Sequence, residues 1–162
     1  MTNNDQLFTC LGSKRIKKSA KVLEALGDLD ELNATLGLVR AFTRKKKLEA
    51  TISSFQNDLV QIGGWLSGFS KLTSLEKKTL LLKTECLRLS DSKLRRFSLP
   101  GKNKVSTFLH LSRVITRRLE RRVVGLNKSD GQEVVAYLNK LSLMLFWLSV
   151  SEEKKAKKIH KL

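Results

Sequence analysis

Apolar residues recur along this chain at intervals of three and four. From Val22 to Phe42, Leu23, Leu26, Leu29, Leu32, Leu36 and Val39 keep that spacing, which puts them on one side of an α-helix. Ile52, Phe55, Leu59, Ile62 and Leu66 repeat the pattern after a basic turn and predict a second helix. A third is expected from about Ser74 to Leu89, with Ser74 as its cap and Glu76 near its start. The stretch SDSKLRRFSLPGKNK then breaks the periodicity, and it holds the one proline of the chain, Pro100, beside Gly101. A fourth helix covers HLSRVITRRLERRVVGL, His110 to Leu126. The fifth, roughly Glu133 to Ser151, is apolar nearly all round, with Val134, Tyr137, Leu138, Leu141, Leu145 and Leu148 on one side and Ala136, Leu143, Phe146 and Trp147 on the other. Five helices with short loops predict an all-α fold, a five-helix bundle that is oligomeric. The 162 residues make one domain, 1–162, with an irregular N-terminal segment, 1–19, and a basic tail, 152–162.

The fourth helix carries the strongest chemical signal. At about 100° per residue, His110, Arg113, Arg117, Glu120 and Arg121 share a stripe, and Phe108, Leu111, Ile115, Leu119, Val123 and Leu126 are expected in the core. Arginines stacked turn upon turn repel one another unless an anion or an acidic partner lies opposite, so the stripe predicts a negative ligand. In the first helix Asp28, Asp30 and Glu31 form the densest acidic cluster of the chain, and Asp30 and Asn33 share a face. Gly27 and Gly37 in the same helix suggest close approach of another helix or a ligand.

Composition adds a second class of partner. The formal charge is +17, from 32 Lys+Arg against 15 Asp+Glu, which opens a nucleic-acid reading. Much of the excess lies in the runs Lys14 to Lys18, Arg44 to Lys47 and Lys154 to Lys161, at element ends, where a solvated surface explains it. Cys10 and Cys86 lack CxxC or Cys/His spacing, so neither a zinc site nor a disulfide framework is expected, as suits a reducing cytoplasm. His110 has no companion ligand and reads as a structural residue, and no metal is assigned to protein ligands. PGKN is not a phosphate-binding loop, because GxxxxGK lacks its first glycine and no Ser or Thr follows the lysine. MTNNDQLF has no signal-peptide pattern, and no uninterrupted apolar stretch approaches the ~20 residues of a membrane span, so no membrane partner is expected.

Five strings together resemble a known family. GDLDELNATLG (Gly27 to Gly37), FQNDLVQIGGWL (Phe55 to Leu66), FSLPG (Phe97 to Gly101), HLSRVITRRLERRVV (His110 to Val124) and YLNKLSLMLF (Tyr137 to Phe146) are similar, in order and spacing, to the ATP:cob(I)alamin adenosyltransferases of the propanediol-utilisation type. LGSKRIKK, Leu11 to Lys18, resembles the segment that precedes the family's first helix.

The resemblance implies a homotrimer with sites between subunits, where Co(I) of a reduced cobalamin attacks C5′ of ATP and triphosphate leaves as its Mg2+ complex. It implies that Arg113, Arg117 and Asp30 are catalytic, with Asp30 pairing Arg113 across the interface. Lys18, Arg117, Arg121, Arg122, Glu120 and Asn139 would bind ATP, and Phe97, Asn33 and Phe146 the corrinoid. A corrinoid reductase or a B12-dependent enzyme would be the protein partner. The family's Thr-Arg-Thr-Gly-Asp-x-Gly phosphate segment has no counterpart in MTNNDQLFTC, Pro-Gly-Gly becomes Pro100-Gly101-Lys102, and Asn-Arg-Leu-Ser-Asp becomes Asn139-Lys140-Leu141-Ser142-Leu143. Lys102 and Lys104 are candidates to replace part of the missing cationic cradle. Three functions follow: an adenosyltransferase with a remodelled ATP entrance, a degenerate member that binds or delivers corrinoid, and a basic helical nucleic-acid binder.

Overall fold

In the computed structural model, residues 5–90, 99–128 and 130–159 are described. Among them lie a single 3-10 turn, Asp5–Leu7, two short strands and five α-helices: α1 Lys21–Phe42, α2 Lys46–Leu66, α3 Leu75–Leu89, α4 Lys104–Val124 and α5 Gly131–Ile159. The bundle is as expected. The N-terminal segment is less irregular than its sequence suggests: β1 (Phe8–Leu11) and β2 (Lys14–Lys17) form an antiparallel hairpin with Phe8 opposite Lys17 and Leu11 opposite Lys14. Its turn needs Gly12, whose φ of 60° lies in the left-handed region.

α4 lies between α1 and α5, α2 covers α1, and α3 packs on α5. All five helices contribute to one core, in which Leu32, Leu36, Ile52, Leu59, Leu82, Leu119, Leu138 and Leu145 are buried. One buried polar cluster ties three helices together. The Tyr137 hydroxyl donates to Asp58 Oδ2 at 2.6 Å, and Lys78 pairs with the other oxygen, so α5, α2 and α3 meet on one buried carboxylate. Burial and the Asp58 charge both push the Tyr137 hydroxyl above its ordinary value, which keeps it a donor.

Several boundaries and faces differ from the sequence pattern. α4 begins six residues before His110, at Lys104, because the Asn103 side chain accepts from Ser106 N at 2.8 Å and caps it, a contact worth about 1 kcal/mol. Ser74 precedes α3 with φ 60° and makes no side-chain cap. On α4 the buried face carries Leu109, Ser112, Ile115, Thr116, Leu119 and Val123, whereas Leu111 is 46% exposed. Thr116 can be buried because its hydroxyl donates to Ser112 O at 2.7 Å. His110 is buried rather than on an open stripe, since the far end of α5 covers it and Glu153 Oε1 lies 3.1 Å from its Nε2. A side chain at Gly27 would meet nothing within 4 Å among the described residues, so no described helix packs closely against it. α5 is longer than expected, and its Gly131–Glu153 portion is by length and composition long and apolar enough to cross a membrane. Half of its apolar window is buried inside the bundle, which is the position of a core helix.

Candidate functional site on α4

α4 has two kinds of arginine. Arg118 and Arg122 are one turn apart and face α1, where Glu24, Asp28 and Glu31 stand at matching intervals. Arg118 Nε donates to Asp28 Oδ1 at 3.0 Å, and its terminal nitrogen pairs with Glu31. Arg122 Nη1 donates to the Glu24 carbonyl at 2.6 Å, and its Nε lies 3.1 Å from Asp28 Oδ2. That last contact is an ion pair without hydrogen-bond alignment, because Asp28 Oδ2 has no hydrogen-bond partner. Asp28 is 4% exposed, and the two guanidiniums are the cations set against its buried carboxylate. Burial opposes the charge on Arg118, and Asp28 and Glu31 outweigh it, holding the guanidinium above its ordinary value. Arg118 was not among the residues that the sequence pattern singled out. The signal was present in the spacing of Glu24, Asp28 and Glu31 opposite Arg118 and Arg122.

Arg117 and Arg121 point the other way. Both are exposed, one turn or about 6 Å apart, and neither pairs with another described residue. Between them in sequence, Glu120 accepts a hydrogen bond from Asn139 Nδ2 at 3.1 Å, joining α4 to α5. This pair lines a groove of about 520 Å3 whose walls include Val123, Val124, Gln132, Val135 and Lys140. One turn before Arg117, the Arg113 guanidinium sits 5.6 Å from the centre of the Phe146 ring. Phe146 in turn meets His110 at 6.4 Å and Trp147 at 5.1 Å, both edge-on. Arg113, Phe146, Arg117, Arg121, Glu120 and Asn139 therefore run along one flank of the α4–α5 pair.

On α1, Asp30 is exposed and pairs with no other described residue. Asn33 is half-buried, and its side-chain oxygen is buried with no hydrogen-bond partner. A buried acceptor left without any donor costs about 1 to 3 kcal/mol. Lys18 is exposed just past the hairpin, where its backbone N–H donates to Leu7 O at 2.8 Å. Lys102 and Lys104 stand elsewhere. The Lys102 ammonium lies 2.8 Å from Glu153, and Lys104 lies 5.0 Å above the Phe42 ring. Thirteen residues of helix, roughly 20 Å, separate Lys104 from Arg117, so one chain does not bring these lysines to the outward arginines. Phe97 lies outside the described residues. Among the described residues no three His, Cys, Asp or Glu are grouped to hold a metal ion.

Residues 2–152 match the model of the cobalamin adenosyltransferase family. A corrinoid adenosyltransferase of Bacillus subtilis (strain 168) is 35% identical over 160 residues, 87% of this chain and 83% of that protein. One of Citrobacter freundii is 32% identical, over 94% of this chain and 92% of that protein. Among solved structures, a variant PduO-type ATP:corrinoid adenosyltransferase from Lactobacillus reuteri complexed with ATP superposes with a TM-score of 0.84 at 25% identity, covering 94% of this chain and 92% of its own. Another variant of that type from the same organism, complexed with cobalamin and ATP, gives 0.83 at 25% identity over 94% and 91%.

Proposed function

Because this chain belongs to the cobalamin adenosyltransferase family, we propose that it transfers the 5′-deoxyadenosyl group of ATP to Co(I) of a corrinoid, with triphosphate leaving. The observation that carries this reading is the division of labour on α4. Arg118 and Arg122 are neutralised by α1, while Arg117 and Arg121 face outward beside a groove with no carboxylate partner among the described residues. Triphosphate gains negative charge as the C5′–O bond breaks, so fixed cations at that point stabilise the transition state more than bound ATP.

The other residues have roles compatible with their surroundings. The Asn139 amide is held through its N–H by Glu120, which leaves its oxygen free to accept from a ribose hydroxyl. The orphaned Asn33 oxygen suits an amide donor on a corrin side chain, and Phe146 with Trp147 offers an apolar wall. Lys18 adds to the cationic lining, whereas Arg122, expected at the phosphates, is held on α1 by Glu24 and Asp28; the resemblance assigns Phe97 to the corrinoid. Mg2+ is expected to arrive bound to the triphosphate. The ion itself would screen charge between the phosphates.

The site is shared between subunits of a homotrimer in this reading. The outward side of α1 carries Gly27, Asp30, Ala34, Leu38 and Ala41, small or apolar apart from the one carboxylate, and Leu38 is 41% exposed. Leu111 and Val114 of α4 are 46% and 56% exposed. Such a surface fits a second bundle, whose Arg113 would meet Asp30 and whose bulk would cover the leucines.

The test is an assay with ATP, Mg2+ and chemically reduced cobalamin, followed by the Co(I) absorbance. Formation of adenosylcobalamin, reduced about 10²- to 10³-fold by Arg117→Ala, is the expected result. A bound, base-off corrinoid without turnover would make the chain a carrier. Tight, salt-dependent binding of DNA or RNA with neither would sink both readings.

A further inference from the structure

The half-buried Phe146 ring has little in its own torsions to fix its plane, since the last torsion of a phenylalanine is broad. Its neighbours on α4 supply the constraint. His110 and Arg113, three residues apart on one side of that helix, both touch the ring: the imidazole edge-on at 6.4 Å and 66°, the guanidinium 5.6 Å from the ring centre. Beyond the imidazole stands Glu153. It follows Phe146 by seven residues on α5, two turns along the same side and roughly 10 Å away, and His110 spans the distance between them. Glu153 Oε1 lies 3.1 Å from His110 Nε2, and Oε2 lies 2.8 Å from the Lys102 ammonium. A carboxylate can only accept, so Nε2 donates.

A buried pair of this kind is a poor choice for stability alone. Glu153 is 4% exposed and His110 7%, and two apolar side chains of similar size would join α4 to α5 as well. What they would not do is fix the plane of a ring. The attraction of Arg113 for Phe146 requires the face of the ring to be turned to the guanidinium. An edge-on imidazole, itself held at Nε2, keeps that face turned. We propose, resting on the corrinoid reading of this wall, that Glu153 and His110 are positioning residues for adenosyl transfer: Glu153 fixes the His110 imidazole, the imidazole fixes the Phe146 ring, and the ring presents Arg113 and the apolar wall to the corrinoid.

The full chain and its variants are assayed for adenosyl transfer with ATP, Mg2+ and chemically reduced cobalamin, and are titrated separately with cob(II)alamin in the presence of ATP, followed by visible absorbance. Glu153→Leu raises KM for cob(I)alamin and Kd for cob(II)alamin at least about fivefold, the worth of one lost hydrogen bond, while KM for ATP stays within about twofold. Glu153→Gln, whose amide oxygen still accepts from Nε2, recovers most of the affinity. In a Phe146→Leu background Glu153→Leu costs corrinoid binding nothing further, because its effect passes through the ring. If Glu153→Leu does not fold, His110→Phe, which keeps an aromatic edge and loses the bond, gives the same split between the two KM values. A lower urea midpoint with both KM values unchanged overturns the proposal, since the pair then serves stability alone. A loss in Glu153→Leu that adds in full to that of Phe146→Leu also overturns it. A parent chain that takes up no cobalamin in either assay overturns the corrinoid reading and this proposal together, whereas an active parent matched by Glu153→Leu and His110→Phe overturns this proposal only.

Discussion

Arg118 and Arg122 differ from Arg117 and Arg121 by a single residue step along α4, about 100° of rotation. The first pair meets a buried carboxylate, Asp28, and the second meets solvent. The same side chain on the same helix is therefore a structural clamp on one side and a free cation on the other. What separates the roles is the opposing surface: α1 offers Glu24, Asp28 and Glu31 to one pair and nothing to the other.

The largest test of that division is Arg117→Ala. It is expected to lower adenosyl transfer about 10²- to 10³-fold, roughly 3 to 4 kcal/mol, while urea unfolding moves by no more than about 0.5 kcal/mol. A stability loss matching the activity loss would erase the distinction. Asp28→Ala should behave in the opposite way, since two guanidiniums lose their buried partner. Its expected stability loss is about 3 kcal/mol, read as a lower urea midpoint, with turnover largely kept below that midpoint. A variant as stable as the parent would mean that solvent already screens the clamp. Asn139→Ala should raise KM for ATP by about 1 kcal/mol and leave kcat nearly unchanged, because it removes one hydrogen bond made equally before and during reaction. The smallest effect belongs to Lys102→Ala with Lys104→Ala: nucleotide affinity falls by less than about 0.5 kcal/mol, as expected of surface charges engaged elsewhere. A tenfold loss by calorimetry would restore these lysines as phosphate contacts brought in from a neighbouring subunit.

The helices themselves were legible because apolar spacing follows the helical period wherever a core is continuous, as from Leu23 to Val39. The faces were less so. Thr116 looks polar and is buried, because an intrahelical hydrogen bond satisfies its hydroxyl locally; Ser112 is buried one turn earlier on the same face. Counting leucines instead placed Leu111 inside, where the structure leaves it open. His110 was misplaced for a tertiary reason, since Glu153 covers it from 43 residues away. The hairpin escaped because FTCL and KRIK are too short to show alternation, and Gly12 alone marked the turn. Of the candidate site, Arg113, Arg117, Glu120 and Arg121 were readable as a row, and Asn139, on another helix, came only through the resemblance. Arg118 was not readable, because its role is defined by α1 rather than by its own helix.

The carboxylates of α1 and the guanidiniums of α4 also work as a ruler. Arg122 reaches Glu24 and Asp28, and Arg118 reaches Asp28 and Glu31, so each cation spans two rungs and the shared rung is buried. A slide of one helix past the other by less than a turn would break both arginine contacts to Asp28 at once. A full turn, about 5.4 Å, would strand one arginine beyond the end of the ladder. The two helices are thus locked in a single register, and any adjustment on substrate entry falls to side-chain rotation of Arg117 and Arg121 or to the hairpin, not to sliding of the frame that holds Asp30 and Asn33.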